Sequence, residues 1–168
     1  MVWVQLPLGV FEKKMKSPRL VIAVIGGSVC PSKKIAEISF QTGQEIAHRG
    51  HILVCGGMGG VMEEACRGAK SAGGITVGIL PGKTNANANP YVDVPVITAM
   101  NHARNAIIVR TADAVIAIDG QYGTLSEIGL AKVIDKPVIG LKTWDIKGVI
   151  PVSTPQEAVD RCEQSCSG

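Results

Sequence analysis

No stretch of this sequence approaches the roughly 20 consecutive apolar residues that a membrane-crossing helix needs, so no membrane span is expected. The apolar start, Val2 to Phe11, is followed by its charges, Glu12-Lys13-Lys14, which is the reverse of a secretory signal. Charge is scarce, at 18% of residues, and the net charge of +3 sits in the first 19 residues, where Lys13, Lys14, Lys16 and Arg19 face one Glu12. Basic and acidic residues cancel in the remainder. A neutral body lacks the basic excess of a nucleic-acid surface. The five cysteines (Cys30, Cys55, Cys66, Cys162, Cys166) form neither a disulfide framework nor a zinc spacing. Reduced thiols in a cytoplasmic compartment are the expectation, with Cys162 and Cys166 one helical turn apart. Cys30, in a loop, is the candidate for reactivity, and a filler role is its alternative. No metal cage, nucleophilic triad or Schiff-base context is visible.

What is present is a compact globular composition, 46% hydrophobic over 168 residues, enough for one domain with a sizeable core. The twenty glycines fall between apolar runs and read as loop devices. Residues 1–19 read as an N-terminal extension, with Met15-Lys16 immediately ahead of the first core strand. Residues 20–168 read as the domain.

Continuous apolar runs at Leu20–Ile25, His51–Cys55, Ile75–Leu80, Val94–Ile97, Ala114–Ile118 and Pro137–Leu141 predict strands, most of them buried on both faces. Helical spacing predicts helices over Lys33–Arg49, Val61–Ala72, Asn101–Arg110, Thr124–Ile134 and Pro155–Cys166. Gly50 and Gly73-Gly74 act as stops, and Thr154-Pro155-Gln156-Glu157 forms a capping box with proline at the first helical position. The alternation predicts an α/β fold: a doubly wound, mostly parallel, Rossmann-like sheet in a single three-layer domain. Ligands of such sheets bind where loops leave the strands' carboxyl ends.

Cys55-Gly56-Gly57-Met58-Gly59-Gly60-Val61-Met62 joins a strand to a helix through four glycines, the arrangement an anion-binding loop requires. It is neither a Walker loop, lacking Gly-Lys-Ser/Thr, nor a Gly-x-Gly-x-x-Gly fingerprint. A tight β–α turn without a ligand also satisfies it. Gly26-Gly27-Ser28, Pro81-Gly82, Thr98–Arg104 and Asp119–Thr124 belong to the same edge, and together they point to a phosphate-bearing ligand. Candidate contacts are Gly27, Ser28, Gly57, Gly59, Gly60, Gly120, Gly123 and Thr124. Arg104 can grip a phosphate bidentately or pair with a carboxylate such as Glu127. Thr124-x-x-Glu127 also reads as a plain capping box. His102 is a proton donor or simply solvated; Asp119 binds a ribose hydroxyl or orients Arg104.

Gly59-Gly60-Val61-Met62, Gly68-Ala69-Lys70 and Ala72 through Gly82 resemble one superfamily. It comprises the LONELY GUY (LOG) cytokinin-activating phosphoribohydrolases and the algal molybdenum-cofactor carrier proteins, and some members carry a lysine decarboxylase label that no residue here supports. The resemblance covers about Leu20 to Leu141. If the chain is a LOG-like hydrolase, it implies that Arg104 and Glu127 are catalytic. The chain departs from that pattern: Asp119-Gly120-Gln121-Tyr122-Gly123-Thr124 replaces Pro-Gly-Gly-x-Gly-Thr, and Asn105 replaces the lysine beside the arginine. Leu80-Pro81-Gly82, Gly68-Ala69-Lys70 and Ala103-Arg104-Asn105 look more like the carriers. The resemblance therefore implies a bound molybdenum cofactor, an anionic pterin phosphate, carried without chemical change. It also implies a homo-oligomer, dimer or tetramer.

Overall fold

The computed structural model describes residues 18–167, so most of the N-terminal extension, residues 1–17, lies outside the described residues. Seven strands form one sheet: β1 (Val21–Gly26), β2 (Ile52–Cys55), β3 (Ile75–Leu80), β4 (Val94–Ile97), β5 (Ala114–Ile118), β6 (Val138–Leu141) and β7 (Val149–Val152). Their order is β4-β3-β2-β1-β5-β6-β7, and every pairing is parallel. The sheet is therefore wholly parallel, beyond the expected mostly parallel one. Strand β7, Val149-Ile150-Pro151-Val152, is the element that apolar patterning missed; it is as short as β4 and, like β4, carries a proline. Proline is tolerated there because β7 is an edge strand with no further neighbour to receive its N–H. Pro95 occupies the opposite edge strand, β4. A proline on each border discourages pairing with a further strand.

Helices α1 (Lys33–His48), α2 (Val61–Ser71), α3 (Asn105–Thr111), α4 (Tyr122–Val133) and α5 (Pro155–Ser165) complete the chain, with a 3-10 turn at Asn101–Arg104 leading into α3. Side chains alternate along each strand, so the sheet feeds two cores. Ile22, Val24, Leu53, Ile116 and Leu141 pack with Ile35 and Ile46 of α1, Val61 and Ala65 of α2, and Val159 of α5. Ala23, Ile25, Val54, Val115 and Ala117 pack on the other face with Ile108 and Val109 of α3 and Ile128 of α4. The apolar stretch after Arg104 is thus core. Ser32 caps α1 by accepting the Ile35 amide, and Thr154 caps α5 by accepting that of Glu157.

Helices α1 and α2 touch backbone to backbone. A Cβ on Gly68 would fall inside the Phe40 carbonyl, and one on Gly43 inside the Ala65 carbonyl. Glycine at these positions lets the two helices approach closely enough to cover β1 and β2. Gly68→Ala must push the pair apart, so we expect a loss of about 1–3 kcal/mol, as for other overpacked cores. Urea unfolding checks this; an unchanged midpoint would contradict the packing.

The order of strands reverses between β1 and β5: β2 to β4 lie on one side of that point and β6 and β7 on the other. The connection from β4 to β5 must cross back over β3, β2 and β1. That crossing carries Thr98–Arg104 along the carboxyl edge and sets Arg104 at the switch point, where open α/β sheets bind ligands.

Candidate active or binding site at the switch point

A cavity of about 260 Å³ opens at the switch point. Its wall takes Val24 to Ser28 from the end of β1 and its loop, Gly56 and Met58 from the β2–α2 turn, Met62 from α2, His102, Arg104 and Asn105 from the crossover, and Gln121 with Gly123, Thr124 and Glu127 from the cap and first turns of α4. Of the expected contacts, Gly27, Ser28, Arg104, Gly123, Thr124 and Glu127 line it. Gly57, Gly59, Gly60 and Gly120 do not.

The glycine turn after β2 has a packing task. Gly60, with φ +66, lies so close to the Gly27 carbonyl and the Ser28–Val29 peptide that no side chain fits. The Val61 amide, first in α2, donates 3.0 Å to that same Gly27 carbonyl. The loop therefore holds the β1 loop in place, and Gly27 and Ser28 face the cavity. Asn89 locks the other half of the turn: its amide NH₂ donates to the Met58 carbonyl (2.9 Å), and its own N–H donates to that of Gly57 (2.9 Å). Asn89 had no sequence signal, because the polar loop that carries it reads only as polar.

Gly56 is the glycine nearest the chemistry. A Cβ there would stand 2.7 Å from Arg104 Nη2 and 2.8 Å from Met62 Sδ. The guanidinium lies against this bare backbone. Arg104 is 8% exposed, and its Nη1 donates to Oδ1 of Asn105. Asn105 passes the constraint on, donating from Nδ2 to Ser126 Oγ (3.2 Å), which donates to the Gly123 carbonyl (2.7 Å). Arg104 is thereby tied to the first turn of α4. Asn105, a departure from the LOG pattern, is the residue that fixes it.

Glu127 is 6% exposed, and its Oε1 lies 3.7 Å from Arg104 Nη1, too far for a hydrogen bond. Burial pushes its carboxyl up from 4.5 to about 7, with Arg104 opposing the rise. Burial also lowers the Arg104 pKa, against the attraction of Glu127 and then Cys55. Among the described residues, Arg104 Nε is the one buried side-chain nitrogen or oxygen without a hydrogen-bond partner. A buried guanidinium with an open donor is an incomplete ion site.

Helix α4 begins earlier than expected. Gln121 is its N-cap and makes no side-chain cap bond, so Thr124 sits inside the first turn and is not the cap. The reason is backbone: Asp119 (φ +48) and Gly120 (φ +109) turn the chain sharply enough to start the helix at Tyr122. First-turn amides lack intrahelical acceptors, and those of Gly123 and Thr124 belong to wall residues. Asp119 is not on the cavity wall; its charge acts on Cys30, raising that thiol after burial and Glu64. Ala99, Asn101, Asp119 and Lys142, all non-glycine residues with φ near +50, lie along this same edge. Left-handed backbone at such density is a feature of functional edges. All five cysteines are free thiols, with Cys55 and Cys66 buried 3.5 Å apart. Among the described residues, no three His, Cys, Asp or Glu side chains group closely enough for a metal ion, and no helix is long and apolar enough to cross a membrane.

A domain of this topology with its cavity at the switch point is Rossmann-like. The chain belongs to the SLOG cluster4 family, whose model matches residues 19–165. It is similar in structure to the molybdenum cofactor binding protein of Rippkaea orientalis, with TM-score 0.83, 36% identity, and 88% of this chain and 98% of that one covered. The Moco carrier protein of Chlamydomonas reinhardtii matches with TM-score 0.81 at 30% identity, covering 89% and 99%. A cytokinin riboside 5′-monophosphate phosphoribohydrolase of Mycobacterium tuberculosis is 31% identical over 121 residues, 66% of this chain and 64% of that protein. The chain spans half the length of a related enzyme from Oryza sativa.

The raised Glu127 carboxyl makes a signed prediction. Between pH 4.5 and about 7 the folded state binds more protons than the unfolded one, so stability falls as pH rises through this window. The effect amounts to at most about 3 kcal/mol. Glu127→Gln removes it, and the variant should match wild type near pH 5 and exceed it at pH 8.5. Thermal unfolding at the two pH values reads the gap; a gap independent of pH would contradict the burial.

Proposed function

We propose that this protein binds a phosphate-bearing small molecule at the carboxyl edge of its sheet, as a carrier or store of the molybdenum cofactor. The observation that carries the reading is Arg104, a guanidinium buried with its Nε unpartnered, on the wall of a cavity that also presents the first turn of α4. A phosphate held by the guanidinium would offset the cost of burying its charge, and the helix N-terminus favours an anion there. The similar structures are molybdenum-cofactor binding and carrier proteins, which supports a pterin phosphate as cargo. Phosphate contacts fall to Gly27, Ser28, Gly123, Thr124 and Arg104. Gly57, Gly59, Gly60 and Gly120 act behind them by shaping the loops. We place the protein in the cytoplasm as a homo-oligomer, with exposed Leu130 and Val133 on α4 as contact residues.

One observation favours a second reading, hydrolysis of a nucleoside 5′-monophosphate to free base. Glu127, held near pH 7 on the same cavity wall, is tuned for proton transfer or for stabilising positive ribosyl character, while Arg104 holds the phosphate. The carrier reading leads because the amide of Asn105 stands where a LOG-like hydrolase has a second cation.

Purified protein incubated with AMP and with cytokinin nucleotides should release no base, in wild type and Glu127→Gln alike. It should bind the molybdenum cofactor saturably, and Arg104→Ala should weaken that binding about 10- to 100-fold, the loss of a charge-assisted contact. Glu127-dependent base release would replace the carrier reading with the hydrolase.

A further inference from the structure

Aromatic residues are few, six in 168, and four of them fall within the described residues. Two of the four are engaged. Phe40 lies under the Arg67 guanidinium, and Tyr91 packs on the core. The other two stand together in the open: Tyr122 is 81% exposed, Trp144 is 38% exposed, and their ring centroids are 6.3 Å apart at 35°. Exposing two of so few rings side by side forgoes the burial that makes aromatics valuable in a core.

Their place in the fold gives the pair meaning. Tyr122 is the first residue of α4, between Gln121 and Gly123 of the cavity wall. Trp144 belongs to the turn after β6 and lines a second cavity of about 340 Å³, with Lys142, Thr143, Asp145 and Pro151 among its neighbours. Thr143 Oγ1 donates 2.6 Å to the Asp119 carbonyl, fastening the β6 turn to the β5 turn and holding one ring against the other. The aromatic pair therefore stands between the two cavities: Trp144 on the wall of the second, and Tyr122, on neither wall, between two residues that line the first.

We propose that Tyr122 and Trp144 form a stacking ridge for the planar heterocycle of the ligand whose phosphate sits at Arg104. The inference rests on the phosphate reading above and deepens it, because the phosphate site alone says nothing of what the phosphate is attached to. A flat, π-faced ring fused or linked to the phosphate-bearing part, a pterin or a purine, matches a surface of this kind; base–aromatic stacking is a substantial and sequence-tolerant contribution. Lys142 and Asp145 in the second cavity offer polar contacts to the ring's far edge.

The test compares three probes on the full chain: ribose 5-phosphate, AMP and a pterin monophosphate. In wild type at least one ring-bearing probe should bind more tightly than ribose 5-phosphate. Tyr122→Ala and Trp144→Ala should each weaken that probe about 5- to 100-fold. Both should leave ribose 5-phosphate unchanged, and Tyr122→Phe should retain wild-type affinity. In Trp3→Phe protein Trp144 is the sole indole, and its fluorescence should be quenched by the ring-bearing probe and not by ribose 5-phosphate. Equal affinity for all three probes, or alanine variants that alter only the oligomeric state, would overturn the ridge and leave the phosphate site standing. Failure of wild type to bind ribose 5-phosphate or either ring-bearing probe would overturn both.

Discussion

A guanidinium buried with one donor unpaired is the constraint around which this molecule is arranged. Arg104 is withdrawn from water, held by Asn105, left short of Glu127 and pressed against the bare backbone of Gly56. Taking a cation out of water is expensive unless its hydrogen bonds are made. Here one is not. The rest of the fold supplies the stability to maintain that shortfall, and an oxyanion held by the guanidinium would offset the cost of burying its charge.

The sheet makes the shortfall possible. Reversal of strand order between β1 and β5 opens a crevice, and the crossover from β4 delivers Arg104 into it. Paired layers of Ile, Val, Leu and Ala on both faces of the sheet hold the strand ends rigid. The glycine turns bring three loops within a few ångströms of one another, and Asn89 and Val61 secure them by hydrogen bonds to backbone carbonyls. Glu127 is buried on the same wall, and burial raises its carboxyl pKa to about 7 against the pull of Arg104.

Six of the seven strands, the five helices and the edge that holds the site were legible: the interior strands as near-continuous apolar runs, β4 as a short apolar segment although it is exposed at the sheet edge, and the helices from their 3.6-residue spacing. Strand β7 was missed, although it is no shorter than β4 and, like β4, carries a proline at a sheet edge. Arg104, Glu127, Gly123 and Thr124 were legible as members of one edge, whereas the task of Gly57–Gly60 was not. A glycine that admits a ligand and a glycine that admits a neighbouring peptide leave the same letter in a sequence, and the distinction arises only when Gly27 and Ser28 fold against Gly60. Thr124 was misread as a cap because a threonine three residues before a glutamate looks the same whether the chain turns at Gln121 or at Gly123. The left-handed conformation of Asp119 decided between them. Asn105 was visible only as a departure from a family pattern; its bond to Arg104 shows what the departure does.

The phosphate reading requires that the Arg104 guanidinium meet the ligand directly, and the side-chain N–H resonances of that arginine in a ¹H–¹⁵N spectrum report such contact. Titration with ribose 5-phosphate should move the Arg104 guanidinium N–H signals saturably, as a charge-assisted hydrogen bond forms. Guanidinium signals that stay fixed while the sugar phosphate binds would contradict direct contact between the phosphate and Arg104.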